Sequence, residues 1–170
     1  MTKVDKFYFD ENKHPYAWAF NDEDYCNLSD EEKRKILFLD KEQSSILWDI
    51  YLPFKDIMRA NCNEVDDFFQ ILDETIFDYS KELKEYTPYF LEKLKDVDIV
   101  YFLWSRHYAV ILPKNIFVKI WDTFFYITEN DGCFLMAPNH NVFIFGSEKM
   151  CFGNIKGVFL KKQQAQTPSP

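Results

Sequence analysis

VDIVYFLWSRHYAVILP, residues 97–113, sets two apolar runs rich in β-branched and aromatic residues on either side of Ser105-Arg106-His107. Such runs fit a pleated, half-buried surface, and a polar connection of about three residues between them reads as a β-hairpin. The three polar residues are adjacent in sequence, whereas the members of a nucleophilic triad are brought together by the fold and held by a third, orienting group. No G-x-S-x-G elbow surrounds Ser105. The stretch therefore predicts a hairpin that carries Arg106 and His107 at a solvated tip, available for contact with a partner.

Toward the C-terminus, KNIFVKIWDTF has helical spacing, and FFYIT, CFLMA, VFIFG and GNIKGVFL read as further strands separated by turn residues. The four glycines, Gly132, Gly146, Gly153 and Gly157, all lie in the last 40 residues, which suits a hairpin-rich second half. Toward the N-terminus, YAWAF (residues 16–20) reads as a first strand. Ser29 with Glu32 and Asp40 with Gln43 have capping-box spacing and predict two short helices. The second of these, KEQSSILWDIYL, has Ile46, Leu47 and Ile50 as its apolar face and Pro53 as its stop. After Asn63, the segment EVDDFFQILDETIFDYSKELKEY repeats apolar residues every three or four positions, the period of a helix with a buried stripe. Thr87-Pro88 opens a last helix in this half.

The predicted fold class is α+β: an N-terminal helical part and an antiparallel sheet of four to six strands, drawn mostly from the C-terminal half, with helices on one face. Residues 1–162 read as a single domain and 163–170 as a flexible polar tail.

Composition narrows the function classes. Of 170 residues, 47% are apolar, enough for a substantial core. The longest apolar runs are too short to span a bilayer, and the polar opening MTKVDKFYFDENK does not read as a signal peptide, so the expectation is cytoplasmic. Cys26, Cys62, Cys133 and Cys151 are scattered and read as free thiols. His14, His107 and His140 lack metal-ligand spacing, and no phosphate-binding glycine motif occurs. Neither a metal nor a cofactor is expected.

The net charge of −8 is uneven: residues 1–98 hold 24 acids and 13 bases (−11), and residues 99–170 hold 4 acids and 7 bases (+3). Such a surface disfavours nucleic acid and anionic membrane and attracts basic proteins. On the helix expected after Asn63, Asp66, Gln70, Asp73, Glu74 and Asp78 form one negative stripe, with no base between Arg59 and Lys81. That stripe is the expected docking surface for a basic protein, with Tyr79 and Tyr86 as aromatic anchors at its edge.

The stretch from Val100 to Ile155 also resembles the closing half of a bacterial domain family of unknown function, at Tyr101, Phe102, Val110, Ile111, Phe117, Trp121, Phe124, Phe125, Asp131 and Gly132. YAWAF and LWDIYL resemble that family's opening elements. In character such families are similar to the small acidic immunity proteins of bacterial toxin systems. The resemblance implies a non-enzymatic protein that neutralises a cognate toxin by steric and electrostatic occlusion, and it supplies no catalytic residue. The alternatives are a small hydrolase or transferase using His107, Asp131 and His140, and a structural adaptor or homo-oligomer.

Overall fold

The computed structural model describes residues 6–52, 54, 68–78, 81–127, 133–146 and 149–156. In chain order the elements are α1 (Ala17–Asn21), α2 (Asp30–Lys33), β1 (Leu37–Phe38), α3 (Lys41–Tyr51), β2 (Phe69–Ile76), a 3-10 turn (Leu83–Tyr86), α4 (Thr87–Lys93), β3 (Ile99–Ser105), β4 (Tyr108–Pro113), α5 (Lys114–Tyr126), β5 (Cys133–Met136), β6 (Asn141–Phe145) and β7 (Lys149–Ile155). Among the described residues, seven strands join in one antiparallel sheet in the order β1-β4-β3-β5-β6-β7-β2. The fold is α+β, as the sequence predicts, with one strand beyond the expected range. The sheet is mostly the work of the C-terminal half.

The 97–113 stretch is a hairpin. Register runs from Ile99 opposite Pro113 to Ser105 opposite Tyr108, with an irregularity at Trp104 and Arg106-His107 as the connection. The backbone N–H of His107 donates to Ser105 Oγ at 3.2 Å, so the serine hydroxyl stitches the turn. Both predicted capping boxes form, Ser29 with Glu32 and Asp40 with Gln43, satisfying N–H groups that a helix start would otherwise leave without partners.

Helices cover both faces of the sheet, where one covered face is expected from sequence. One face presents Val100, Phe102, Trp104, Leu135, Phe143 and Phe145 to Phe20 of α1, Phe90 of α4 and Phe117, Trp121 and Phe124 of α5. The opposite face presents Leu103, Ala109, Phe134, Met136 and Val142 to Trp48 and Tyr51 of α3 and to Leu52. Alternate strand residues point to opposite faces, so a strand buried on both sides must be apolar throughout. β5, CFLM, is buried at all four positions.

Four expected elements differ. YAWAF is not a strand: residues 17–21 form α1, with Ala17, Ala19 and Phe20 fully buried. Alanine favours helix over strand, and Asn21 anchors the turn by exchanging two hydrogen bonds with the Phe9 backbone, at 2.8 and 3.0 Å. FFYIT is not a strand either, since Phe124 to Tyr126 continue α5. α3 forms where predicted but buries Ser44, Trp48 and Tyr51, while Ile46 and Ile50 stay 56% and 48% exposed.

The largest correction concerns the segment after Asn63. Phe69–Ile76 is not a helix but β2, the edge strand beside β7. A bulge at Leu72 explains the misreading. Phe69 and Ile71 pair with Ile155 and Gly153, but Asp73 pairs with Phe152, so the extra residue moves the strand's phase by one. Phe69 and Ile71 pack on the α3 side and Phe77 on the opposite side. A period of two interrupted by a bulge imitates a helical period in sequence. β-Branched Ile71, Thr75 and Ile76, with aromatic Phe69 and Phe77, were the strand signal. Gly153 permits the approach: a Cβ there would stand 2.1 Å from the Gln70 carbonyl oxygen.

Candidate functional site

The strand geometry dissolves the acidic helical stripe. Gln70 is exposed opposite Asn154. Asp73 meets Lys93 Nζ at 3.1 Å, and that ammonium holds its carboxyl below the usual carboxylate range. Glu74 meets Lys149 Nζ at 3.2 Å and lies within reach of Cys151 Sγ, and Lys149 likewise holds its carboxyl down. Asp78 stands 4.0 Å from Lys81. Basic residues missing from the local sequence are therefore delivered by other elements. Tyr86 is half-buried: its hydroxyl accepts the Asp78 N–H at 2.7 Å, and its ring packs edge-on against Phe77. It fastens the end of β2. Asp66 and Tyr79, also expected at the docking surface, lie outside the described residues, as do Cys62, Asp131 and the tail.

Arg106 and His107, by contrast, stand on a surface built jointly by the β3–β4 turn and α3. Arg106 grips Asp49 in a two-point ion pair, Nε to Oδ1 at 3.1 Å and Nη2 to Oδ2 at 2.6 Å. Next to it, His107 Nδ1 lies 3.4 Å from Ser45 Oγ. The Ser45 hydroxyl donates to the Lys41 carbonyl at 2.7 Å, so toward the imidazole it can only accept, and the ring presents Nδ1–H. That direction is the reverse of what a base beside a nucleophile requires. Burial, Lys41 and Arg106 all push the His107 pKa down. Beside these pairs, Ile46 and Ile50 stand exposed one helical turn apart, with Glu42 a further turn back on the same face of α3.

The three histidines do not converge. His107 belongs with Ser45 near the start of α3, whereas the His140 ring packs by Tyr51 at its end, about 9 Å further along a helix rising ~1.5 Å per residue. His140 occupies the β5–β6 turn with φ of 65°, a left-handed conformation that histidine tolerates better than most residues. Among the described residues, no group of three His, Cys, Asp or Glu side chains is placed to hold a metal ion. Cys26 is a free thiol, and burial pushes it up to about 11.

A second feature went unread in the sequence. Residues 9–17 and the start of α3 enclose a cleft of about 340 Å³, walled by Phe9 and Phe38 and lined by His14, Lys13, Lys41 and Gln43. His14 is only 2% exposed. Its Nδ1 accepts the Tyr16 N–H at 3.3 Å, which leaves Nε2 as the protonated nitrogen of the neutral ring. Nε2 is buried and has no hydrogen-bond partner among the described residues. Burial holds the ring's pKa down at about 4. A single histidine next to a proline carries no local signal for this, because the phenylalanines and α3 that enclose it come from separate segments.

The molecule is thus an α+β protein whose described residues form a seven-stranded antiparallel sheet between helices, with two exposed isoleucines on the outer face of α3 and a cleft at the start of the same helix. Comparison with protein-family models, with curated proteins and with solved structures gives no match. Among the described residues, no helix is long and apolar enough to cross a membrane.

Proposed function

We propose that the chain is a non-enzymatic binding protein of the immunity type, which neutralises a basic cognate toxin by occluding it. The observation that carries this reading is the outer face of α3, where Ile46 and Ile50 are exposed beside the Arg106–Asp49 and His107–Ser45 pairs. Tight interfaces concentrate their energy in a few desolvated apolar or aromatic anchors, surrounded by polar contacts that exclude water. The contact surface therefore moves from the β2 segment to α3 and the β3–β4 turn. Arg106 and His107 remain in it, while Asp73, Glu74, Asp78 and Tyr86 support the fold.

Charge supports the choice of partner. The net −11 of residues 1–98 gives the half that contains α3 a field that speeds encounter with a basic protein, while the isoleucines supply the affinity. The mechanism is steric: a helix face seated over the toxin's working surface blocks it without chemistry.

The test is calorimetric titration of the parent and of an Ile46→Glu/Ile50→Glu variant against the basic partner recovered from the native host. Loss of two anchors lowers affinity by about a hundredfold or more, while the fold, which does not bury these side chains, is retained. Equal affinity would remove α3 from the interface. A parent that associates with itself through this face and with no basic protein would replace the inhibitor reading by a homo-oligomer.

A further inference from the structure

α1 and the loop that follows it leave two aromatic rings in solvent. α1 buries Ala17, Ala19 and Phe20 and turns Trp18 outward, 40% exposed, whereas Trp48, Trp104 and Trp121 are all buried. Tyr25 is 46% exposed, and the two rings meet edge to face with centres 5.0 Å apart. Aromatic rings carry negative faces, which attract cations.

Tyr25 lines a cleft of about 420 Å³ together with Asp24, Asp122 and Thr123. Among the described residues, that lining holds two carboxylates and no cationic side chain. Asp24 is exposed and has no ion-pair partner among the described residues. Asp122 accepts the Thr123 N–H at 3.2 Å and has Lys84 Nζ at 3.9 Å, a long contact to an exposed lysine. The other nearby lysines are engaged or buried: Lys119 sits on both oxygens of Glu32 at 2.9 and 3.0 Å, Lys6 pairs with Glu23, and Lys33 is buried. The backbone fixes the shape. The Thr123 hydroxyl donates to the Tyr25 carbonyl, tying the loop to α5, and the Asp22 carbonyl accepts the N–H groups of Tyr25 at 3.3 Å and Cys26 at 2.9 Å. A site built before its ligand arrives loses less to ordering.

A hard divalent cation takes roughly six oxygens or more, and among the described residues no group of three His, Cys, Asp or Glu side chains is placed to hold one. An organic cation fits better, because its charge needs one or two carboxylates and its body can lie on an aromatic ring. Arginine meets both demands: its planar guanidinium pairs with carboxylates at two points and stacks on aromatic faces, while lysine offers a compact, strongly hydrated charge.

We propose that this cleft receives an arginine side chain presented by a polypeptide partner, the guanidinium facing the carboxylates of Asp24 and Asp122 and lying against Tyr25. α1 and α5 cover the face of the sheet opposite to α3, so the site stands apart from the isoleucine face and does not rest on the inhibitor reading.

The test is NMR titration of the full chain at pH 7 with the capped peptide acetyl-Gly-Arg-Gly-amide and with its lysine and citrulline counterparts, citrulline being the neutral isostere of arginine. The arginine peptide shifts the Trp18 indole N–H and the Tyr25 amide saturably, with a dissociation constant on the order of a few millimolar, as suits one side chain at an open site. The three buried indoles stay in place, the lysine peptide binds more weakly, and the citrulline peptide does not bind. Asp24→Asn alters an exposed side chain that makes none of the loop's hydrogen bonds, and it raises the dissociation constant about threefold with the fold unchanged. Trp18 and Tyr25 resonances that stay fixed, or move without saturation, up to roughly 50 mM arginine peptide would overturn the proposal. So would lysine or citrulline peptides that bind as tightly as arginine, or an Asp24→Asn protein with the parent's affinity.

Discussion

Acid should unfold this protein through His14. The ring is buried and neutral, and its pKa is depressed from 6.5 to about 4, so protonation is resisted in the folded chain and allowed in the unfolded one. For a group depressed on folding, the stability it confers is present above the unfolded pKa and is lost as pH falls toward the folded value. The window is therefore pH 6.5 to 4. At ~1.36 kcal/mol per pKa unit, the loss between pH 7 and pH 4.5 comes to about 2 kcal/mol. Replacing His14 by Phe keeps an aromatic ring against Phe38, Trp104 and Tyr108 and removes the titration. Asp10, Asp40, Lys13, Lys41 and Tyr108 surround the site in both proteins, so their contributions cancel in the difference. Urea unfolding of parent and variant at pH 7, 5.5 and 4.5 measures it. The parent should lose about 2 kcal/mol more than the variant over this range, with urea m-values unchanged. Parallel pH dependence in the two proteins would show that His14 is not buried neutral.

Other substitutions probe the fold around this site. Gly153→Ala forces a Cβ onto the Gln70 carbonyl and should destabilise by about 1–3 kcal/mol, read as a lower urea midpoint, with the pairing of β2 lost first in amide exchange. Trp48→Ala empties the centre of the α3-side core and should cost about 3–5 kcal/mol by the same assay. Asp73→Lys sets like charges at Lys93 and should lower the urea midpoint slightly, an effect that shrinks in salt. Glu32 is held down at about 2 by Lys119 and the Ser29 N–H, so its contribution is present above pH 4.5 and disappears as pH falls toward 2. The thermal midpoints of parent and Glu32→Gln should accordingly converge in acid.

Much of the architecture was legible locally. The capping pairs at Ser29 and Asp40, the hairpin at 97–113 and the Pro138-Asn139-His140 turn between β5 and β6 each depend on neighbours a few residues away, and each local preference agrees with the final structure. The candidate sites were less legible. Arg106 and His107 stand at the hairpin tip, as the sequence predicts, but their partners Asp49 and Ser45 lie 57 and 62 residues away. The acidic stripe failed for the same reason in reverse, since Lys93 and Lys149 reach Asp73 and Glu74 from other elements.

By itself, the sequence determined the fold class, the starts of α2 and α3, the central hairpin and the acidity of the first half, all properties of composition or of contacts closed within a turn. Only the tertiary structure decided that Phe69–Ile76 is an edge strand, that α3 buries Trp48 and leaves Ile46 and Ile50 outside, and that His14 ends in a cleft. In each case the deciding contact is long-range. A bulge hides the period of β2 until β7 supplies the register, and an amphipathic helix acquires an inside only when a sheet is there to face it.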